Sequence, residues 1–307
     1  MTTSIEIAEQ MERELLPSTD HDKPDGALYH YTNAEAFLKI LETGEIWATH
    51  HRYLNDREEL RIGEKLVQEE AESLRDRWGE GTVGKAILTD FARIHENASV
   101  TKVSHPFIAS FSTHGDLLSQ WRAYATNGAG YSIGVASFDL PDGDQEYADA
   151  SLTLVKCEYD HDAFRMLVRT TLERVVNAIE AYVKKFAKNR DDLKPLYKKG
   201  VLCLLLHAVS VSVRLKHAAF REEEEWRFIV VPYPERSSKI VRYRATVRGI
   251  VPYIPVRLAP AGQKIDLARI YVGPVQDSEV GRVAVQMLLE QNGHDDVVSV
   301  SKVPYRG

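Results

Sequence analysis

At 307 residues the chain has room for one large domain or two modest ones, at about 100–200 residues each. Its 44% hydrophobic and 27% charged residues are ordinary for a protein with a packed core, which excludes disordered, collagen-like and fibrous classes. Acidic side chains outnumber basic ones 45 to 39, and the net charge of −6 argues against a broad electrostatic footprint for duplex nucleic acid. Two well-separated cysteines, Cys157 and Cys203, support neither a disulfide framework nor a thiolate metal cluster, so a reducing cytoplasm is expected. Residues 1–20 carry Glu6, Glu9, Glu12 and Glu14 and no apolar run, unlike a secretory signal. The longest apolar run, 201–213, is broken by His207 and two serines and falls short of the roughly 20 residues of a spanning helix. It reads as a buried helix, and no membrane association is expected.

In chain order, residues 4–15 read as a short acidic amphipathic helix. A turn-rich linker with Pro17, Ser18, Thr19, Asp20, Pro24, Asp25 and Gly26 follows, which sets 1–26 apart from a single domain over 27–307. A strand at 28–31 leads to Asn33 as N-cap of a helix that Gly44 ends, then to an extended stretch at 45–50. Asn55 or Asp56 is a candidate cap for a long charged helix, and a second helix is expected near 85–98. A strand at 107–112, a helix over 115–125, a turn at 127–130 and a strand at 131–136 come next. Beyond a polar loop and a strand at 152–159, residues 161–217 are almost wholly helix-patterned and read as a helical insertion. Strands are expected at 226–232, 239–247 and 268–273, a helix at 278–291 and a closing strand at 297–303.

Several constellations could carry chemistry. His30 lies in the first strand, just before a helix start, where a ring donor would be held rigidly beside a ligand. In the stretch Trp47 to Asp56, Tyr53 could line a cleft, while Asn55 and Asp56 read as caps. His50 and His51 are adjacent, and on a strand they would point to opposite faces, so no metal site is expected. Ser110 and Ser112 share one face of their strand, with Phe111 on the other, and Trp121 and Tyr124 share one side of a helix. Gly128 and Gly130 do not make a phosphate loop. The sharpest feature is the run Phe220-Arg221-Glu222-Glu223-Glu224-Glu225-Trp226-Arg227. Alternation puts Glu223, Glu225 and Arg227 on one face and Trp226, Phe228 and Val230 on the opposite, core-packed one. A charge run ordinarily reads as a solvated face; against that, like charges at a strand entrance call for a partner or a purpose, and a strand-borne glutamate beside an arginine can stabilise positive charge developing on a sugar carbon.

These segments, Leu28-Tyr29-His30-Tyr31-Thr32, Trp47 to His50 with Tyr53 to Asp56, Trp121-x-x-Tyr124-x-x-x-Gly128-x-Gly130, Phe220 to Arg227, Val272-Gly273-Pro274 and Ser301 to Arg306, resemble a bacterial family of unknown function over roughly 27–307. The chain is more distantly similar to the ADP-ribosyltransferase superfamily, in which an antiparallel sheet splits to hold NAD. In that superfamily the first strand supplies a histidine or arginine to the ribose, a central strand a Ser-Thr-Ser or a tyrosine, and a later strand the catalytic glutamate. His30, Ser110-Phe111-Ser112 and Glu223-x-Glu225 match these in order, with Phe111 in place of threonine and the helical block as departures.

The resemblance implies an α+β domain with a split, mostly antiparallel sheet of ADP-ribosyltransferase type and a helical insertion. It implies NAD as substrate, Glu225 and Glu223 as catalytic groups, and His30, Tyr31, Thr32, Tyr53, Ser110, Ser112, Tyr124 and Arg227 around the dinucleotide. A protein or nucleic-acid acceptor, a toxin or phage-defence role, and an antitoxin or regulator as partner go with it. The alternative is a non-catalytic nucleotide- or nucleic-acid-binding module, to which Lys184, Lys185, Lys188, Arg190, Lys194, Lys198 and Lys199 lend support. A metal-dependent hydrolase using His30, His50 and Asp56 stands last.

Overall fold

The computed structural model describes residues 3–17, 22–54, 57–97, 105–125, 128–138, 149–233, 237–246, 249–260, 262–274 and 277–304. Strands β1 (Leu28–Thr32), β2 (Glu45–His50), β3 (Phe107–Ser112), β4 (Tyr131–Val135), β5 (Ala150–Lys156), β6 (Glu225–Pro232), β7 (Arg242–Thr246), β8 (Gly249–Arg257), β9 (Leu267–Val272) and β10 (Val298–Val300) join one sheet. Among the ladders between these strands only β9–β10 is parallel, and an isolated parallel bridge joins Glu158 to Leu215. The helices are α1 (Ser4–Glu14), α2 (Ala34–Thr43), α3 (Arg57–Arg77), α4 (Val83–Asn97), α5 (Leu118–Tyr124), α6 (His161–Phe186), α7 (Arg190–Ser212), α8 (Ser237–Ile240) and α9 (Ser278–Gln291). Among the described residues no helix is long and apolar enough to cross a membrane. The fold is thus mixed α and β around a mostly antiparallel open sheet.

Local chemistry explains the sharpest boundaries. Asn33 accepts the Ala36 amide at 2.9 Å to start α2, and Gly44, at φ 70°, ends it in the left-handed region. Asp160 caps α6 and Asn189 caps α7, each accepting two amide hydrogens of the first turn. Asn55, Asp56 and Asn127, most of the polar loop, and Ser18 to Asp20 lie outside the described residues.

Both faces of the sheet's centre are covered. Ile108, Val155, Ile229 and Val231 pack with α1, α3, α4, α6 and α7, whereas Phe107, Phe111, Trp226, Phe228 and Val230 pack with α2 and α9. That explains why β6 is buried at every position, as a strand between two layers must be. The N-terminal helix belongs to the core, because the apolar stripe of α1 buries Ala8 and Met11, Glu12 pairs with Lys199, and the His207 ring meets the Leu15 carbonyl at 2.8 Å. The block at 161–217 forms two long helices that supply the middle of the helical layer rather than an appendage to it.

The pairing of β3 fixes the site. One edge of β3 runs its full length beside β6, from Phe107↔Val230 to Ser112↔Glu225. The other edge is shared: β2 pairs at Phe107 and Ile108, β1 at Ser112, and neither ladder reaches Ala109 to Phe111. The sheet therefore splits between β1 and β2.

Close packing of α3 on α7 rests on Gly63, where an added Cβ would stand 2.1 Å from the Ser212 carbonyl oxygen. Gly63→Ala should force the helices apart and destabilise by about 1–3 kcal/mol. Urea denaturation measures this, and an unchanged midpoint would refute the contact.

Candidate functional site

The chain leaves α7 through Val213, turns through a short 3-10 helix (Ala218–Glu223) and enters β6 at Glu225. Lys216, Glu223, Glu225 and Arg227 are all at most 5% exposed. Lys216 Nζ donates to Glu223 Oε2 at 2.5 Å and to Glu225 Oε2, while Arg227 Nε donates to Glu225 Oε1 at 2.8 Å and Arg227 Nη1 to the Val213 carbonyl at 2.6 Å. Ser112 Oγ donates to the Glu223 carbonyl at 2.6 Å, and the Tyr159 hydroxyl accepts the Glu225 amide at 2.8 Å. Burial alone would raise the Glu225 pKa, but Arg227 and Lys216 outweigh it and hold the group at about 2. Burial is the largest influence on the Lys216 ammonium and disfavours it, but Glu225 and Glu223 together outweigh burial and Arg227, so its pKa is raised and it stays charged. The charge run thus divides in two. Glu223 and Glu225 are buried and paired, whereas Glu222 and Glu224 face solvent. Glu224 adopts φ 41°, an uncommon value for a non-glycine residue, and accepts Thr113 Oγ1 at 2.5 Å.

At the split, the His30 ring nitrogen Nδ1 donates to the Ser110 carbonyl at 2.9 Å, on the stretch of β3 that neither ladder reaches. Burial, with a nearby Arg244, pulls the His30 pKa below its ordinary value despite that hydrogen bond. Register places His30 on the face of Phe111, whose ring centroid is 5.7 Å away, and Ser110, Ser112, Glu225 and Arg227 on the other face. His30 and Glu225 therefore leave the sheet on opposite faces, with β3 between them. The β2 side of the split carries an aromatic and cationic rim: Trp47 stacks on Tyr253 at 4.5 Å, Lys39 and Arg244 each lie 5.4 Å from the Trp47 ring, and Arg244 donates to Thr49 Oγ1 at 2.9 Å.

The remaining expected residues divide between architecture and surface. Tyr31 is buried; its hydroxyl donates to the His114 carbonyl at 2.7 Å and accepts the Leu117 amide at 2.9 Å, and its ring meets Trp121 edge-on. Thr32 is buried too. Tyr53 and Tyr124 are exposed, in the turn after β2 and at the end of α5. Of the basic stretch, Lys184 pairs with Glu180, Lys194 with Asp191 and Lys199 with Glu12, which neutralises part of the patch. Burial pushes the Cys157 and Cys203 thiols up to about 12, so neither is a ready nucleophile at neutral pH. A separate apolar groove of about 680 Å³ between α2 and α9, lined by Phe37, Leu38, Val285 and Leu288, shares no residue with the split.

The expectation that His50 and His51 diverge is corrected. The strand ends at His50, a 3-10 turn (His51–Tyr53) begins, and the two rings come to 4.7 Å, with His105 beside them. Asp56, expected with His50 in a hydrolytic site, lies outside the described residues, and His30 sits at the split.

Residues 120–228 match a family model described as Protein of unknown function (DUF2971). That segment runs from α5 to the middle of β6 and contains the whole Lys216–Arg227 cluster. It supports the resemblance to a domain family of unknown function over about a third of the chain. No curated protein and no solved structure matches.

Removing one partner of a buried ion cluster leaves an uncompensated charge, so Lys216→Met should cost about 3–5 kcal/mol in chemical denaturation. A loss under ~1 kcal/mol, typical of solvated pairs, would refute a dry cluster. Because the folded-state pKa of Glu225 is depressed from 4.5 to about 2, its contribution to stability is complete above pH 4.5 and is lost as pH falls toward 2. Urea midpoints across that window should fall in the wild type and fall less steeply in Glu225→Gln.

Proposed function

We propose that the split between β1 and β2 is a nucleotide-binding site for NAD, and that the chain is an ADP-ribosyltransferase-like protein acting on a protein or nucleic-acid acceptor. The observation that carries this reading is the break in pairing along β3, where the His30 ring takes a backbone carbonyl that a neighbouring strand would otherwise have used. Such a break exposes main-chain and side-chain groups together on a rigid support. Arg244 and Lys39 offer positive charge to a pyrophosphate, and the Trp47–Tyr253 stack offers an aromatic surface to a base.

In the transfer step the bond between nicotinamide and ribose breaks, leaving an oxocarbenium-like centre on the sugar. Glu225, kept ionised, is the group suited to stabilise that charge, and Glu223 the one suited to orient the acceptor. For this, Glu225 must exchange one of its cationic partners for the ribose, and the sugar must reach the face of β3 opposite His30. A partner protein that covered the split would act as an antitoxin or regulator.

A second reading, a module that binds nucleotide without turnover, is favoured by one observation. Both Glu225 oxygens are engaged by Lys216 and Arg227, and the residue is only 4% exposed.

Calorimetry with NAD, alongside chromatography of released nicotinamide with protein and nucleic-acid acceptors, separates the readings. Arg244→Ala should weaken NAD binding about tenfold or more. Nicotinamide release that drops ~10²–10³-fold in folded Glu225→Gln supports the transferase. Binding without release for any acceptor supports the module, and failure of the wild type to bind NAD overturns both.

A further inference from the structure

We propose that His50, His51 and His105 form a binding site for a divalent transition-metal ion of the zinc type. One ring nitrogen from each lies within 4.8 Å of the others. The independent sign of a ligand is His51: it is only 5% exposed, and neither of its ring nitrogens has a hydrogen-bond partner. A buried polar atom left unpaired is destabilising, a penalty that a coordinated ion at this ring would remove.

The backbone makes the cluster rigid. The His51 amide donates to the Pro106 carbonyl at 3.0 Å, and His50 pairs with Phe107 in the β2–β3 ladder. The turn that carries His50 and His51 is thereby fixed to the segment that carries His105. The three rings sit close, with centroids 4.7, 4.9 and 5.9 Å apart. Tetrahedral zinc at about 2.0–2.1 Å from each nitrogen sets the nitrogens roughly 3.4 Å apart, so closure brings them together by up to about 1.4 Å and turns the His51 and His105 rings, now 19° from parallel, toward a common point. His50 Nδ1 now accepts the Arg52 amide at 3.2 Å, and that amide, on an exposed residue, can take water when the ring turns to the ion.

Ligand chemistry names the class of ion. Imidazole nitrogen suits zinc, copper, nickel and iron, and among the described residues the cluster holds no carboxylate of the kind magnesium or calcium requires. His50 and His105 are partly exposed, so the fourth position opens to solvent and takes water. None of the residues at the split belongs to this cluster, so the site stands or falls independently of NAD binding.

The test uses the untagged full-length chain, stripped with a chelator and titrated with Zn²⁺ against a chromophoric competitor, then with Co²⁺ followed by its d–d absorption. One equivalent should bind, with the absorption of a four-coordinate ion and a raised melting temperature. His51→Phe, which fills the buried space with an apolar ring, and His105→Ala should each weaken binding at least tenfold, while Cys203→Ser leaves it unchanged. Circular dichroism establishes that each variant is folded, and the wild-type titration decides the matter should either variant not fold. Failure of the wild type to take up an equivalent overturns the proposal, as does stoichiometric binding that survives both folded histidine variants.

Discussion

A strand has two edges, and β3 must satisfy three neighbours with them. One edge is committed to β6 along its whole length, so β1 and β2 divide the other and diverge. Everything that gives the molecule a recognisable locus follows from that shortage of edge. The carbonyl of Ser110 is left for the His30 ring, and the β2–β8–β7 side of the sheet becomes a separate wall bearing Trp47, Arg244 and Tyr253. The divergence also gives α2, the connection from β1 to β2, a position from which Lys39 reaches the Trp47 ring.

Elements governed by local chemistry were legible in the sequence. The bounds of α2 follow from Asn33 and Gly44, β3 from its alternation, and α9 from its apolar periodicity. Where tertiary context decides, the reading failed. Pro252 and Pro255 lack a donor and so mask β8, yet the strand forms because β2 and β7 hold it from both sides. The short α1 resembles a detached tail until its Met11 face meets the long helices. The separation of one helical block at Asn189, between α6 and α7, depends on a single cap inside a continuous pattern.

The candidate site was partly legible for the same reasons. Alternation correctly placed Glu225 and Arg227 together on the face opposite Trp226 and Phe228. It gave no sign that this second face is roofed by helices, because burial on both sides of β6 depends on elements far away in the chain. Lys216 was overlooked among many surface lysines, although the 3-10 helix after it folds the chain back so that it counters the charge of glutamates seven and nine residues downstream. The histidine pair failed differently. Opposite directions hold only while the strand continues, and the chain turns at His51.

The wall of β6 has a further consequence for how the chain reaches this state. Its ladders join Ser112 to Glu225 and Ala150 to Pro232, so the central strand docks onto partners separated from it by long stretches of sequence. Such non-local closure is entropically expensive, and α6 and α7, packed on each other between β5 and β6, shorten the gap it has to close. In the unfolded chain Trp226, Phe228 and Val230 lie in an uncovered β-forming segment, and the run of glutamates immediately before it is the kind of charge that opposes self-association of such a segment.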